Sequence, residues 1–326
     1  MSKILVTGGA GFIGSHLVKR LLKSNHDITV IDNLERGKLE YLGEAHSKIT
    51  FLNLDLRNYE LIKSCFIGID VVVHMASKVG GIGTYISRPY EIMADNILID
   101  SNVLKASLQA NVSKYFYASS AHVYPKHLQN VPNSPIINEN DAYPADCELS
   151  YGWAKLVGEK QLEYACQERS DFKCAIARFV GIYGPNQDIE LQSGSVIPVF
   201  SHRAIRYPEV PFTVWGTGKE TRSYCYIEDA LDAVELMVEK MNVVSMVGPL
   251  NIGKEENITI QEIAEAIVKI SNKPIEIQYD LSRKTVIWGQ ICGTKKAEQV
   301  INWKAETSIQ KGLEIVFSDV QKRVKL

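Results

Sequence analysis

The chain has 326 residues, 45% hydrophobic and 23% charged, with a formal net charge of −2, enough apolar sequence for one large core and a smaller lobe. So even a charge balance gives no electrostatic reason to expect nucleic acid or an anionic membrane as partner. The six cysteines (Cys65, Cys147, Cys166, Cys174, Cys225, Cys292) are scattered without metal-ligand spacing. They read as reduced thiols of a cytoplasmic protein with no metal site.

Ile4-Leu5-Val6 are the only strongly apolar residues before the first glycines, too few for a signal segment or a membrane span. Short apolar runs at 4–6, 28–31, 51–54, 71–74, 115–118 and 175–179 read as buried strands. Between them lie segments of helical spacing, such as Leu17, Val18, Leu21, Leu22 and Val103, Leu104, Ser107, Leu108. Parallel neighbours need helical crossovers, so this alternation predicts an α/β fold with a doubly wound parallel sheet of Rossmann type.

After Tyr183-Gly184-Pro185-Asn186 the rhythm breaks, with Pro198, Pro208 and Pro211 in loop-rich sequence, a strand at 212–215 and a turn at Gly216-Thr217-Gly218. A helix over 228–241 carries the apolar face Ala230, Val234, Met237, Met241, suited to return to the first domain. A helix at 261–270, a strand at 275–279 and a last helix from about 308 complete the chain. The expected division is a dinucleotide-binding domain over 1–185, with a returning segment at about 219–245, and a substrate lobe from 186–218 and 246–326.

Gly8, Gly11 and Gly14 stand between a predicted strand and a predicted helix. Such a turn lets the backbone approach a pyrophosphate at the helix N-terminus, here opened by Phe12 and Ile13. Asp32, followed by Asn33, ends the second strand, where a carboxylate accepts from the hydroxyls of an adenosine ribose and repels a 2′-phosphate. That favours NAD over NADP, with Arg36 as the residue that could reverse the preference. Asp55 and Leu56 after the third strand are expected near the adenine, and Met75, Ala76 and Ser77 after the fourth near the rest of the dinucleotide.

Tyr151 and Lys155 are four apart on a predicted helix and share a face, so the ammonium is expected to lower the phenol pKa and make it a base. Ser120, at the end of the fifth strand, can hold a substrate hydroxyl while the phenolate takes its proton.

Together with Asn96, Arg178-Phe179, Tyr183-Gly184-Pro185 and Thr221-Arg222-Ser223-Tyr224 before Asp229, these residues resemble the extended short-chain dehydrogenase/reductases that modify nucleotide sugars. Lys78-Val79-Gly80-Gly81-Ile82-Gly83 and the Ser119–Pro125 stretch are similar to GDP-mannose 3,5-epimerase and GDP-fucose synthase. The resemblance implies NAD as cofactor, a nucleotide-diphosphate sugar as substrate, and a homodimer formed through helices at about 96–110 and 151–168. Gly80 and Gly81 would let backbone amides approach a hexose, or form only a flexible connection. Arg222 matches the family arginine that grips the diphosphate. Trp215, Asn186 and, by position alone, Arg283 complete the expected substrate group.

His122 is the departure. Those epimerases carry a cysteine acid/base at that position, and the carboxylate pair of the dehydratases is absent. An imidazole titrating near neutral pH could shuttle a proton at C3 or C5 of a 4-ketohexose, or simply shape the pocket. Ser195 occupies the expected place of the second acid and is a poor one, with His202 a turn further on. The reading is an epimerase acting through a transient 4-keto sugar. Its alternatives are a plain 4-epimerase, a dehydrogenase, reductase or dehydratase of the same family, and an NAD-binding regulator without turnover.

Overall fold

The computed structural model describes residues 2–282 and 287–324. Its main sheet holds the strands β1 (Lys3–Thr7), β2 (Asp27–Ile31), β3 (Thr50–Leu52), β4 (Val71–His74), β5 (Lys114–Ser120), β6 (Lys173–Phe179) and β7 (Met246–Ile252). Every pairing is parallel, in the order β7-β6-β5-β4-β1-β2-β3. The expected doubly wound α/β fold is therefore present.

The helices of consequence are α1 (Phe12–Lys23), α2 (Ile82–Ser87), α3 (Pro89–Gln109), α4 (Ser150–Glu168), α5 (Val196–Arg206) and α6 (Ile227–Lys240). Strand periodicity divides the core between the faces of the sheet. Ile4 and Val6 pack with Leu17 and Val18 of α1 and with Leu231 and Val234 of α6. Leu5, between them in sequence, packs with Val103 of α3 and Leu162 of α4.

The strand order reverses between β1 and β4, which opens a crevice at the carboxyl ends of the strands. Register brings Thr7 level with His74 and His74 level with Tyr117. Ser120 pairs with Phe179 on the same edge.

The smaller part is a four-stranded mixed sheet of Ile258–Thr259, Thr221–Arg222, Gly289–Cys292 and Ile136–Ile137. It draws Ile136–Ile137 and Thr221–Arg222 out of segments that the sequence reading placed with the first domain. Met246–Ile252 moves the other way, pairing with β6 as an edge of the main sheet although the reading began the second lobe at 246. Gly248 and Pro249 interrupt that run and shift its register between Val247 and Leu250, which hides a strand from pattern reading.

Helix α5 forms where loop was expected. Pro198 falls in its first turn, where a missing N–H costs no helical hydrogen bond. The strand expected over 275–279 is Gln278–Asp280, paired with Thr213–Trp215. Among the described residues no helix is long and apolar enough to cross a membrane.

Candidate active site

The turn after β1 is built as the glycines require. Gly8 has φ +68°, and a Cβ on Gly14 would lie 2.1 Å from the Gly8 carbonyl oxygen. The Gly11 amide donates to that carbonyl at 3.1 Å. Helix α1 opens with no side-chain cap and no acidic residue in its first turn, which leaves the amides at Phe12 and Ile13 free of competition for an anion.

The buried Asp32 carboxylate accepts from the Ala10 amide at 3.0 Å and the Leu34 amide at 2.9 Å. Burial raises its pKa against those two bonds. Asn33 beside it is exposed, its carbonyl oxygen accepting from the Glu35 amide. Arg36 turns away from Asp32. It donates to the Val79 carbonyl at 2.5 Å and to Asp188 at 3.0 Å, so its donors are engaged elsewhere than at a ribose. Asp55 is paired with Arg57, which holds its carboxyl below the ordinary range, and Leu56 is buried.

Loop residues after β4 tie the turn to the helices α3 and α4. The Met75 amide donates to Thr7 O and the Ala76 amide to Thr7 Oγ1. Ser77 Oγ donates to Asn96 Oδ1 at 2.6 Å and lies 3.5 Å from the Tyr151 hydroxyl.

Around Tyr151 three rings meet. The His122 imidazole lies edge-on with centroids 5.8 Å apart. Tyr85 of α2 stacks at 5.4 Å and 28°, and is 5.9 Å from His122. Ser120 Oγ accepts the His122 amide at 3.3 Å, which ties the serine and the imidazole to one turn. Tyr85 was absent from the sequence reading. A tyrosine in a short helix after a glycine loop carries no mark of facing a residue 66 positions later in the chain, and its bond to the Gly80 backbone does not by itself point that way.

Two electrostatic expectations are corrected. The Tyr151 phenol is pushed up rather than down: burial is the main cause, the Asp100 carboxylate adds to it, and Ser77 opposes it. Lys155 does not reverse this, because its Nζ lies 3.6 Å from Asp100 Oδ1 and 5.8 Å from the Tyr151 ring centre, so the carboxylate compensates the ammonium charge. His122 does not titrate near neutrality. Burial, and then the Arg222 guanidinium, lower it to about 4, leaving a neutral imidazole at pH 7.

On the substrate side, Arg222 donates to the carbonyls of Thr221 and Ile287, both at 2.8 Å, and its charge reaches His122. Trp215 is half-buried in the strand paired with Gln278–Asp280. Gly80 and Gly81 lie beside α2, with Gly81 close enough to the 187–195 loop that a Cβ would be 3.1 Å from Ser193 O. The Asn186 side chain is 3.5 Å from Ser15 of α1 and its amide bonds Asp319. Ser195 accepts from Gln187, and His202 bonds the Ile189 carbonyl. Arg283 lies outside the described residues. Among the described residues no metal-ligand cluster occurs.

A parallel sheet with a glycine turn at its switch point and a buried acid at the end of the neighbouring strand has the form of a dinucleotide-binding fold. The sequence profile of the NAD dependent epimerase/dehydratase family matches residues 4–253, and the chain belongs to that family. It is 28% identical over 325 residues to GDP-mannose 3,5-epimerase of Arabidopsis thaliana, covering 99% of this chain and 83% of that protein. It is 33% identical over 282 residues to a UDP-N-acetyl-alpha-D-glucosaminuronate decarboxylase of Bacillus cytotoxicus, covering 84% and 82%. The crystal structure of Thermotoga maritima UDP-glucose 4-epimerase with UDP-glucose superposes with a TM-score of 0.86 at 26% identity, covering 99% of both chains. NAD is thus the cofactor, and the turn at Gly8–Gly14 with buried Asp32 fits it.

Proposed function

We propose that this protein is an epimerase of nucleotide-diphosphate sugars that works through a transient 4-keto intermediate, in the manner named for GDP-mannose 3,5-epimerase. The observation that carries the reading is the meeting of Tyr151, His122 and the Ser120 hydroxyl at the end of β5. Bound NAD supplies the hydride acceptor, and later the donor, at C4.

Ser120 orients the C4 hydroxyl and Tyr151 takes its proton. Because burial pushes the phenol up in this protein, its ionisation, which must precede the proton transfer, would draw on nearby positive charge: Lys155 and the oxidised cofactor when bound. The ketone acidifies the neighbouring C–H bonds, and neutral His122 accepts a proton there. With a conjugate acid of pKa about 4 it is a weak base, and inversion then requires a proton delivered to the opposite face by a second donor, solvent where Ser195 replaces an acid. Arg222 and the backbone at Gly80 and Gly81 are the groups proposed to hold the diphosphate and the hexose, and Trp215 the base.

A second reading, hydride-only 4-epimerisation with a rotating ketosugar, is favoured by the low basicity of His122 and by Ser195 standing where a second acid belongs. Incubation with GDP-mannose and with UDP-glucose in D2O separates the two. Deuterium at C3 or C5 supports proton exchange. Inversion at C4 without deuterium supports the second reading, and no reaction with a broad sugar-nucleotide panel refutes both. Tyr151→Phe should abolish either activity.

We further propose a homodimer through the outer faces of α3 and α4, which expose Tyr90, Leu98, Trp153, Val157 and Tyr164.

A further inference from the structure

We infer that Asp100 is the positioning residue of this site, a buried carboxylate on α3 that anchors the Lys155 ammonium and ties it through His74 and Thr7 to the glycine turn. The inference rests on the reading of Tyr151 and Lys155 as the hydride-transfer pair.

Asp100 is 3% exposed and Lys155 1% exposed. An aspartate in mid-helix is ordinarily solvated, and burying its charge costs several kcal/mol unless it is paired and hydrogen-bonded. Here the pairing is complete. Oδ1 lies 2.9 Å from His74 Nε2 and 3.6 Å from Lys155 Nζ, and Oδ2 accepts from the Tyr117 hydroxyl.

Donor accounting gives the chain a direction. The Ala76 amide donates to Thr7 Oγ1, which leaves the Thr7 hydroxyl to donate to His74 Nδ1 across 2.6 Å. His74 is buried and neutral, so its one remaining proton sits on Nε2 and goes to Asp100. Ala76 is also the wall against which Gly8 closes, with its backbone 2.8 Å from a Cβ built there. The wall of the cofactor turn and the catalytic lysine are therefore two ends of one buried polar chain.

The lysine needs this partner. Burial lowers the Lys155 pKa, and Asp100 is the largest influence opposing it, with Glu159 behind. The other titratable groups facing the pair are Tyr115 and Tyr117 from β5, His74 from β4 and Tyr151 from α4. The four phenols and imidazoles among them are neutral at pH 7, so Asp100 is the near anion that keeps Lys155 protonated. A carboxylate with only a packing role would be satisfied by His74 and Tyr117 alone.

Asp100→Asn removes the charge and keeps one acceptor, which can face His74 Nε2 while its NH2 donates to the Tyr117 oxygen. In 15N-lysine-labelled protein, with Lys155→Met used to assign the resonance, the pH at which the Lys155 ammonium loses its proton should fall by about one unit or more. With GDP-mannose or UDP-glucose, whichever turns over, kcat should fall about tenfold or more while KM changes less than about twofold, Asp100→Glu should recover much of the loss, and Asp100→Asn added to Lys155→Met should cost nothing further. Should Asp100→Asn not fold, His74→Gln, which unseats the same carboxylate, supplies the comparison.

An unshifted Lys155 titration, or losses that multiply in the double variant, overturns the inference. A Lys155→Met enzyme as fast as the parent overturns the catalytic reading instead. A slow Lys155→Met beside an unaffected Asp100→Asn overturns only the role of Asp100.

Discussion

At the scale of single residues the site is governed by burial. Tyr151, 7% exposed, is held protonated by its surroundings, and His122 is held neutral. Between them Tyr85 fixes spacing, since its ring touches both and its phenol is held by the Gly80 amide. Tyr85→Leu should therefore lower kcat by about ten- to a hundredfold, the cost of misplacing reacting groups by a fraction of their contact distance. Tyr85→Phe, which keeps the ring, should lose much less. Initial rates of the two variants on the same sugar nucleotide give the comparison.

Among the elements, α4 bears the proposed pair Tyr151 and Lys155, and its approach to the sheet decides where that pair lies. Gly158 permits the contact: a Cβ there would be 2.2 Å from the Tyr117 hydroxyl and 3.1 Å from Asp100 Oδ2. Gly158→Ala gains about 1 kcal/mol of helix propensity but forces overpacking that costs about 1–3 kcal/mol. The expected net result is a lower denaturation midpoint together with reduced activity, because the displaced helix takes Tyr151 and Lys155 with it. The opposite faces of α3 and α4 bear the dimer proposal. Trp153→Glu with Tyr164→Glu should convert the sedimenting species to a monomer without unfolding it, since both side chains reach solvent.

For the molecule as a whole, buried imidazoles set the acid limit. The folded value for His122 is about 4 against 6.5 for the free side chain. Between those values the unfolded chain binds a proton that the folded chain refuses, so stability is full above pH 6.5 and is lost as pH falls toward 4, by at most about 3 kcal/mol from this residue. His74 is shifted in the same direction. Urea midpoints at pH 7 and pH 5 should show the decline, and His122→Gln should make it shallower.

The same scales separate what was legible in the chain from what was not. The apolar runs, the glycine spacing and the Tyr151/Lys155 pair could be read in order because strands, phosphate turns and helix faces are made by neighbours in sequence. Met246–Ile252 escaped because its pairing with β6 overrides a Gly-Pro interruption, and α5 because a proline in a first turn looks like a break. That the Asn186 side chain lies beside Ser15 of α1 is visible only in the fold, because the two are 171 residues apart in the chain.

What the amino-acid order determined by itself was the doubly wound sheet, the dinucleotide turn and the placing of Tyr151 and Lys155 on one helix. Tertiary structure alone decided the charge states: that Lys155 is answered by Asp100 from another helix, that Tyr151 lies up against Tyr85, and that His122 rests as a neutral imidazole at pH 7. Protonation depends on every charge and every lost water within a few ångströms, and those neighbours are assembled through space from segments that lie far apart along the chain.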